Sequence, residues 1–145
     1  MIRTYTAKSK FIEGLEMDVS ARHHMVKVDE PVEQGGTDKG MNPVELLLSS
    51  ISACLTMTIL INAEAANLKV DDISVEVEGE LDTMGSKGSA RVRPGLKVVR
   101  TTVKVKTNAL PETFQQFLNR IVLRCPVEDS VKNEVIFEEP ILVIQ

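Results

Sequence analysis

The chain contains two cysteines, Cys54 and Cys125, whose sequence surroundings differ. Cys54 lies inside the apolar stretch NPVELLLSSISACLTM, whereas Cys125 precedes a proline in RCPVEDSV. A thiol can act as a nucleophile, a redox centre or a metal ligand, but neither cysteine belongs to a C-x-x-C pair. Two cysteines in 145 residues are also too few for a secreted disulfide scaffold. We therefore expect a chain from the reducing cytoplasm, in which the thiols are either reactive or simply buried.

Cys125 has a local argument for reactivity. Pro126 suits the first position of a helix, which would put Cys125 at the cap. There, unpaired backbone N–H groups and the helix dipole favour a thiolate, and Arg124 is adjacent. Against this, Glu128 and Asp129 in the first turn already complement the dipole. The local sequence leaves a reactive thiol and an inert one both open.

Cys54 has a weaker local argument. It falls in mid-helix, with apolar neighbours at helical spacing, so a small buried hydrophobic residue is the first interpretation. Burial raises the pKa of a thiol, so reactivity at Cys54 would need a cation or a base from elsewhere in the chain. His23 and His24 are adjacent strand or turn residues that would point to opposite faces. We therefore expect no metal site and no cofactor.

Composition excludes several classes of partner. The net charge of −4 and the pI near 5.3 argue against nucleic acid, as does the lack of tryptophan. The N-terminus has no apolar core of signal-peptide length. Leu46 to Ala63 carries no charge, but it contains Ser, Thr and Asn side chains and has no flanking clusters of Lys or Arg. We expect a buried helix of a soluble protein and no membrane partner.

The order of predicted elements indicates an α+β fold in a single domain, residues 1–145. Asn42 and Glu45 form a capping-box pattern around Pro43, which predicts a long helix that ends near Ala66 or Asn67. Further helices are predicted from Pro111 and from Pro126. Alternation of apolar and polar residues predicts strands at 2–9, at two stretches within 13–29 joined by a turn near 21–24, at 69–82, at 96–108 and at 138–145.

The long helix has little polar face, so the rest of one chain could hardly cover it. Small side chains at Ser49, Ser52, Ala53 and Thr56 would let a second helix approach closely. Coverage by the chain's own second helix is the alternative. The pattern favours a homodimer.

Two motifs together resemble the OsmC/Ohr superfamily, the osmotically inducible and organic hydroperoxide resistance proteins. NPVELLLSSISACLTM is similar to that family's N-P-E-[EQ]-L…A-C segment, and RCPVEDSV is similar to its second motif around C-P-V. The glycine-rich segment GGTDKG that precedes the first motif and the order of the secondary-structure elements also fit the pattern of this family. The resemblance covers nearly the whole chain and implies that the chain belongs to a divergent OsmC-like branch.

The resemblance implies a fold and a chemistry. The fold would be an intertwined homodimer with two long central helices packed against wrapping antiparallel sheets. Cys54 would be the peroxidatic thiol and Cys125 the resolving thiol in the reduction of small apolar organic hydroperoxides, and a dithiol reductant would restore both. The apolar side chains expected to line the substrate pocket, with core packing as the alternative, are Leu47, Ile51 and Met57.

The sequence departs from the family pattern at the groups that activate the thiolate. Peroxidase members are expected to use an N-terminal Arg, oriented by a Glu directly after Asn-Pro. Here Val44 follows Asn42-Pro43, and Glu45 points about 100° away on the helix. The candidate activating residues that remain are Arg22, Arg124 and Glu45, with Arg3 as a further possibility.

Three interpretations of function therefore stay open. The first is a cysteine-based peroxidase. The alternative is a divergent non-peroxidase dimer that binds a small apolar or thiol-reactive ligand, and a purely structural domain is the third. The basic segment GSKGSARVRPGLK, residues 85–97, could contact an anionic partner, although a solvated loop is the simpler interpretation.

Overall fold

A computed structural model describes all 145 residues and has an α+β fold. The chain comprises two compact units, residues 1–49 and residues 50–145, and the long helix begins in the first unit and continues in the second. Short 3-10 turns span Val32–Gln34 and Val122–Arg124. The strands are β1 Lys8–Glu13, β2 Glu16–Ala21, β3 His24–Val28, β4 Asp72–Glu80 and β5 Val98–Lys106, and the helices are α1 Pro43–Ala65, α2 Thr83–Ser86, α3 Pro111–Ile121 and α4 Pro126–Lys132.

The N-terminal unit contains an antiparallel sheet in the order β1-β2-β3. Arg22, with φ of 56°, and His23 form the turn between β2 and β3, which confirms the turn expected from the sequence. The predicted strand at 2–9 is wrong in its position, because β1 begins at Lys8. Lys8 pairs with Ser20, and only Ala21 follows Ser20 in β2, so the residues before Ala7 have no register partner in that strand.

A loop after β3 is organised by the buried carboxylate of Asp29. That carboxylate accepts hydrogen bonds from the backbone N–H groups of Glu30 (2.8 Å), Thr37 (3.1 Å) and Lys39 (3.2 Å), and from the Thr37 hydroxyl (2.6 Å). Gly36 closes the loop so tightly that a Cβ atom there would lie 1.8 Å from the Glu30 carbonyl oxygen. The glycine-rich segment therefore folds around Asp29.

Both ends of helix α1 are capped by local hydrogen bonds. The Asn42 side chain accepts from the Glu45 N–H at 2.9 Å, and the Glu45 carboxylate accepts from the Asn42 N–H at 2.9 Å, which confirms the capping box. At the other end Asn67 adopts the left-handed conformation, and the Leu68 N–H donates to the Ala63 carbonyl. This is the Schellman arrangement that ends helices.

Only one stripe of α1 is buried. Ile51, Leu55, Ile59 and Ala63 recur every four residues and form that stripe. By length and composition α1 could also cross a membrane. This is weak evidence for a membrane span, because core helices of soluble proteins can have the same length and apolar composition. Apolar side chains on the remaining faces, among them Met57, Leu60 and Ile61, are exposed.

The C-terminal unit packs a hairpin and two helices against α1. β4 and β5 pair antiparallel, with Ile73 opposite Val105 and Val75 opposite Val103. This pairing confirms the predicted hairpin and puts the apolar residues of both strands on one face. The core cluster consists of Leu55, Ile59, Ala63, Phe114, Phe117, Ile121 and Cys125, with partly buried residues of the hairpin packed against it.

Two predictions of secondary structure after residue 82 need correction. The predicted C-terminal strand at 138–145 is wrong, because residues 133–145 form no helix or strand. A strand needs a neighbour that completes its backbone hydrogen bonds, and this chain supplies none there. The segment expected to be an irregular loop begins with α2, which is capped by the Asp82 side chain accepting from the Met84 N–H.

Candidate functional site

Cys125 lies at the junction between α3 and α4. After the 3-10 turn the backbone of Cys125 is extended, and α4 begins at Pro126, as the sequence predicted. The Cys125 carbonyl accepts the first helical hydrogen bond from the Asp129 N–H at 3.0 Å. The side chain of Cys125 is 0% exposed and belongs to the core cluster. The proline start of α4 therefore holds this sulfur inside the C-terminal unit.

Cys54 lies on α1 at the margin of the buried stripe, directly before Leu55. Its side chain is half-buried and packs against the same core cluster. Both thiols are free, and both lie in the same packed region of the C-terminal unit. The structure thus brings together the two cysteines that the sequence singled out.

The two thiols are not equivalent in their surroundings. Burial raises the pKa of the Cys125 thiol. The backbone N–H groups of Glu128 and Val127 oppose this rise and the interaction with Cys54 adds to it, so that the pKa of Cys125 is raised overall. Cys125 therefore holds its proton more strongly than an ordinary cysteine.

The candidate activating residues take other partners. The Arg124 guanidinium donates to the Asn62 side-chain oxygen at 2.8 Å. Asn62 lies two turns beyond Cys54, about 12 Å along the helix axis. Glu45 is engaged in the capping box with Asn42.

Arg22 belongs to the turn of the N-terminal unit, as an exposed residue. It borders a cavity of about 880 Å³ together with residues 4–7 and Ala21. Arg3, the further possibility, is also exposed in this unit. A role of these arginines in activating the thiolate stays a prediction.

The residues predicted to line a substrate pocket differ in exposure. Ile51 is 1% exposed and is a core residue in this chain, which was the alternative interpretation. Leu47 and Met57 are exposed on α1, at 38% and 63%. The side chains of Leu47 and Met57 are therefore accessible at the surface of α1.

A cavity that the sequence did not indicate lies beside α4. It measures about 430 Å³ and is bordered by Leu55, by β5, by α3 and by Glu128. Glu128 pairs with Lys132 through one carboxylate oxygen, while its Oε2 atom is buried and has no hydrogen-bond partner. Glu128 could have been identified from the sequence because it follows Cys125 by three residues, and residues at this spacing lie on the same face of a helix.

The family model described as OsmC-like protein matches residues 36–139. The chain belongs to the OsmC-like protein family. Both cysteines lie within the matched region, whereas Arg3 and Arg22 lie outside it. Proteins of the OsmC family are soluble, so α1 is interpreted as a helix of a soluble protein.

Solved structures share the OsmC-like fold at low sequence identity. An OsmC-like protein from Mycoplasma pneumoniae has a TM-score of 0.79 at 20% identity, over 91% of this chain and 89% of that one. An organic hydroperoxide resistance protein from Elizabethkingia anophelis has a TM-score of 0.70 at 19% identity, over 90% and 89%. One from Legionella pneumophila has 0.64 at 20% identity, over 91% of both chains. No curated protein sequence matches the chain.

Proposed function

We propose that this OsmC-like protein reduces organic hydroperoxides with Cys54 as the peroxidatic thiol and Cys125 as the resolving thiol. The observation that carries the proposal is the packing of Cys54 against the core cluster that contains Cys125, with both thiols free and within the region matched by the family. The names of the Elizabethkingia and Legionella neighbours support the substrate class.

The first step is attack on the peroxide. The Cys54 thiolate attacks the terminal oxygen of ROOH, the O–O bond breaks, and the alkoxide takes a proton to leave as ROH. Cys54 becomes a sulfenic acid. The half-buried position of Cys54 supports its assignment as the thiol that a substrate meets first.

The second step forms a disulfide. Cys125 attacks the sulfenic sulfur, its proton joins the departing hydroxide as water, and a Cys54–Cys125 bond results. A dithiol reductant then attacks this disulfide, forms a mixed disulfide and leaves both cysteines reduced. The packing of Cys54 against the core cluster that contains Cys125 supports a resolving role for Cys125, because a disulfide requires neighbouring sulfurs.

The exposed face of α1 supports a homodimer. Met57 and Ile61 are 63% and 72% exposed, although the helix carries no charge between Glu45 and Glu64. A second copy of α1 would remove this apolar surface from water. Free thiols and the reductant requirement support a cytoplasmic location.

A Cys54→Ser variant tests the assignment. We expect peroxide consumption with a dithiol present to fall by at least about 100-fold, because the nucleophile is lost. The matched control is Cys125→Ser, which without added dithiol should still reduce about one equivalent of peroxide per chain and then stop at the Cys54 sulfenic acid. Unchanged consumption by Cys54→Ser would show that the assignment is wrong.

A second candidate function is a non-peroxidase dimer that binds a small apolar or thiol-reactive ligand. The engagement of Arg124 with Asn62 and of Glu45 with Asn42 favours it, since neither candidate activating group contacts the thiols. This function predicts thiols that stay reduced with one equivalent of organic peroxide while a hydrophobic fluorescent probe still binds. Loss of both thiols would exclude it.

A further inference from the structure

A smaller cavity of the C-terminal unit has two arginines at its border. It measures about 260 Å³ and lies between the end of α1, helix α3 and the 3-10 turn that follows α3. Arg120 and Arg124 are four residues apart in this helical segment, and both border the cavity. The other bordering residues are Asn62, Ala65, Ala66, Phe117 and Ile121. Neither cysteine borders it, so the cavity is separate from the site of the two thiols.

The two arginines have no counter-ion. No ion pair of the chain includes Arg120 or Arg124, although acidic residues outnumber basic ones by 21 to 17. Like charges four residues apart on a helix repel each other. The residues that border the cavity include no carboxylate that would offset this repulsion. The pair therefore leaves a local positive charge that a bound anion would neutralise.

The guanidinium of Arg124 is held in place by a short chain of hydrogen bonds. It donates to the Asn62 side-chain oxygen at 2.8 Å, and the Asn62 side-chain nitrogen donates to the Thr58 carbonyl at 2.7 Å. Asn62 is thus anchored on α1 and orients Arg124 with its oxygen. A guanidinium has five N–H donors, and this contact uses one of them. The other donors of Arg124 stay available to an anion, at a reduced entropic cost of ordering this side chain.

The end of α1 offers a competing explanation for the two arginines. A helix carries about half a negative charge at its C-terminal end, and this favours nearby cations. Two guanidiniums carry two full positive charges, so most of their charge is not offset by the helix. The same helix end also borders the cavity with the methyl groups of Ala65 and Ala66, both of which are exposed. The cavity therefore combines cationic donors with an apolar surface.

We propose that this cavity binds a small organic carboxylate. The carboxylate accepts hydrogen bonds from Arg120 and Arg124, because the planar fork of a guanidinium matches the two oxygens of a carboxylate. The carbon chain of the ligand covers Ala65 and Ala66 and removes their methyl groups from water. A volume of about 260 Å³ is smaller than the pockets of drug-sized ligands, so the ligand is small. This binding site goes beyond the proposed peroxidase activity and does not depend on it.

The test titrates hexanoate into the purified protein and follows the side-chain amide signals of Asn62 by nuclear magnetic resonance. We expect a saturable shift in the parent protein. Arg120→Gln should weaken hexanoate binding at least about tenfold, because it removes a charged donor and leaves Asn62 bonded to Arg124. The matched control is Arg91→Gln, which removes the same charge from an exposed residue that does not border the cavity. It should change the affinity by less than about twofold, since salt screens exposed charges.

Two further probes separate the parts of the ligand. Hexanol has the carbon chain without the charge, and acetate has the charge without most of the chain. Each should bind at least about tenfold more weakly than hexanoate. The inference would be overturned by the lack of a saturable shift with hexanoate, by equal losses in Arg120→Gln and Arg91→Gln, or by hexanol or acetate binding as tightly as hexanoate.

Thermal unfolding of Arg120→Gln distinguishes the competing explanation. If Arg120 only complemented the end of α1, the variant would melt at a lower temperature and would still bind hexanoate like the parent protein, which would overturn the inference. The titrations contain neither peroxide nor dithiol. Their outcome is therefore distinct from success or failure of the peroxidase assay.

Discussion

At the residue scale, Asp29 links stability to pH. The Thr37 hydroxyl is the main cause that lowers the pKa of Asp29 to about 2, with backbone N–H groups adding to it. The folded pKa lies below the ordinary value of 3.8, so the stabilisation is fully present above pH 4 and is lost as the pH falls towards 2.

An Asp29→Asn variant should therefore melt on the order of 5 °C below the parent protein at pH 7. The difference should shrink as the pH falls from 4 to 2, which thermal unfolding followed by circular dichroism would measure. Asp38→Asn in the same loop is the control, since Asp38 is exposed. Equal effects of both variants at every pH would contradict a special role for Asp29.

Individual residues also show how much of the two-cysteine site could be predicted from the sequence. The two thiols were found because cysteine is rare in this chain and because two motifs resemble one family. Their packing in one region was not predictable from spacing, since it depends on how α4 packs against α1. The engagement of Arg124 with Asn62 was missed for the same reason, because an arginine can reach several acceptors and local sequence does not choose among them.

At the element scale, α1 was predictable because local signals agree with its packing. The capping box, the apolar run and the Asn67 terminus all point to one helix. The strand predicted for residues 138–145 failed because alternation and β-branched residues give a propensity without a pairing partner. Apolar side chains of this segment, including Ile141 and Leu142, are exposed in the single chain.

The capping box gives an element-scale prediction about Glu45. Glu45→Gln should keep an acceptor for the Asn42 N–H and leave Cys54 alkylation unchanged, because Glu45 acts on the helix end. Asn42→Ala should instead lower the free energy of unfolding by about 1 kcal/mol, as measured in urea. A changed alkylation rate in Glu45→Gln would return Glu45 to the candidate activating groups.

At the scale of the whole molecule, the exposed face of α1 predicts self-association. Ile61→Lys would place a charge in an apolar interface, so it should convert a dimer into a monomer at micromolar concentration. Light scattering coupled to size-exclusion chromatography would measure this. The control is Leu110→Lys, since Leu110 is similarly exposed, at 69% against 72%, but lies outside α1. A dimer that tolerates Ile61→Lys would contradict this interface.

The family and the α+β fold could be predicted from the sequence, because the motifs and the order of the elements are local patterns. The single domain of residues 1–145 stays a prediction, since the chain forms two compact units. A role for the basic segment 85–97 also stays a prediction. Part of its charge is engaged locally, with Arg93 donating to the Leu96 carbonyl and Lys97 paired with Asp82.

The most direct test of the account is the mass of the intact, reduced protein after one equivalent of cumene hydroperoxide, with free thiols counted over a minute. A working pair predicts rapid loss of both thiols and a mass decrease of about 2 Da, because two thiol hydrogens leave when Cys54 and Cys125 form a disulfide. Two persistent thiols at unchanged mass would contradict the central claim and would favour a ligand-binding protein of the OsmC-like family.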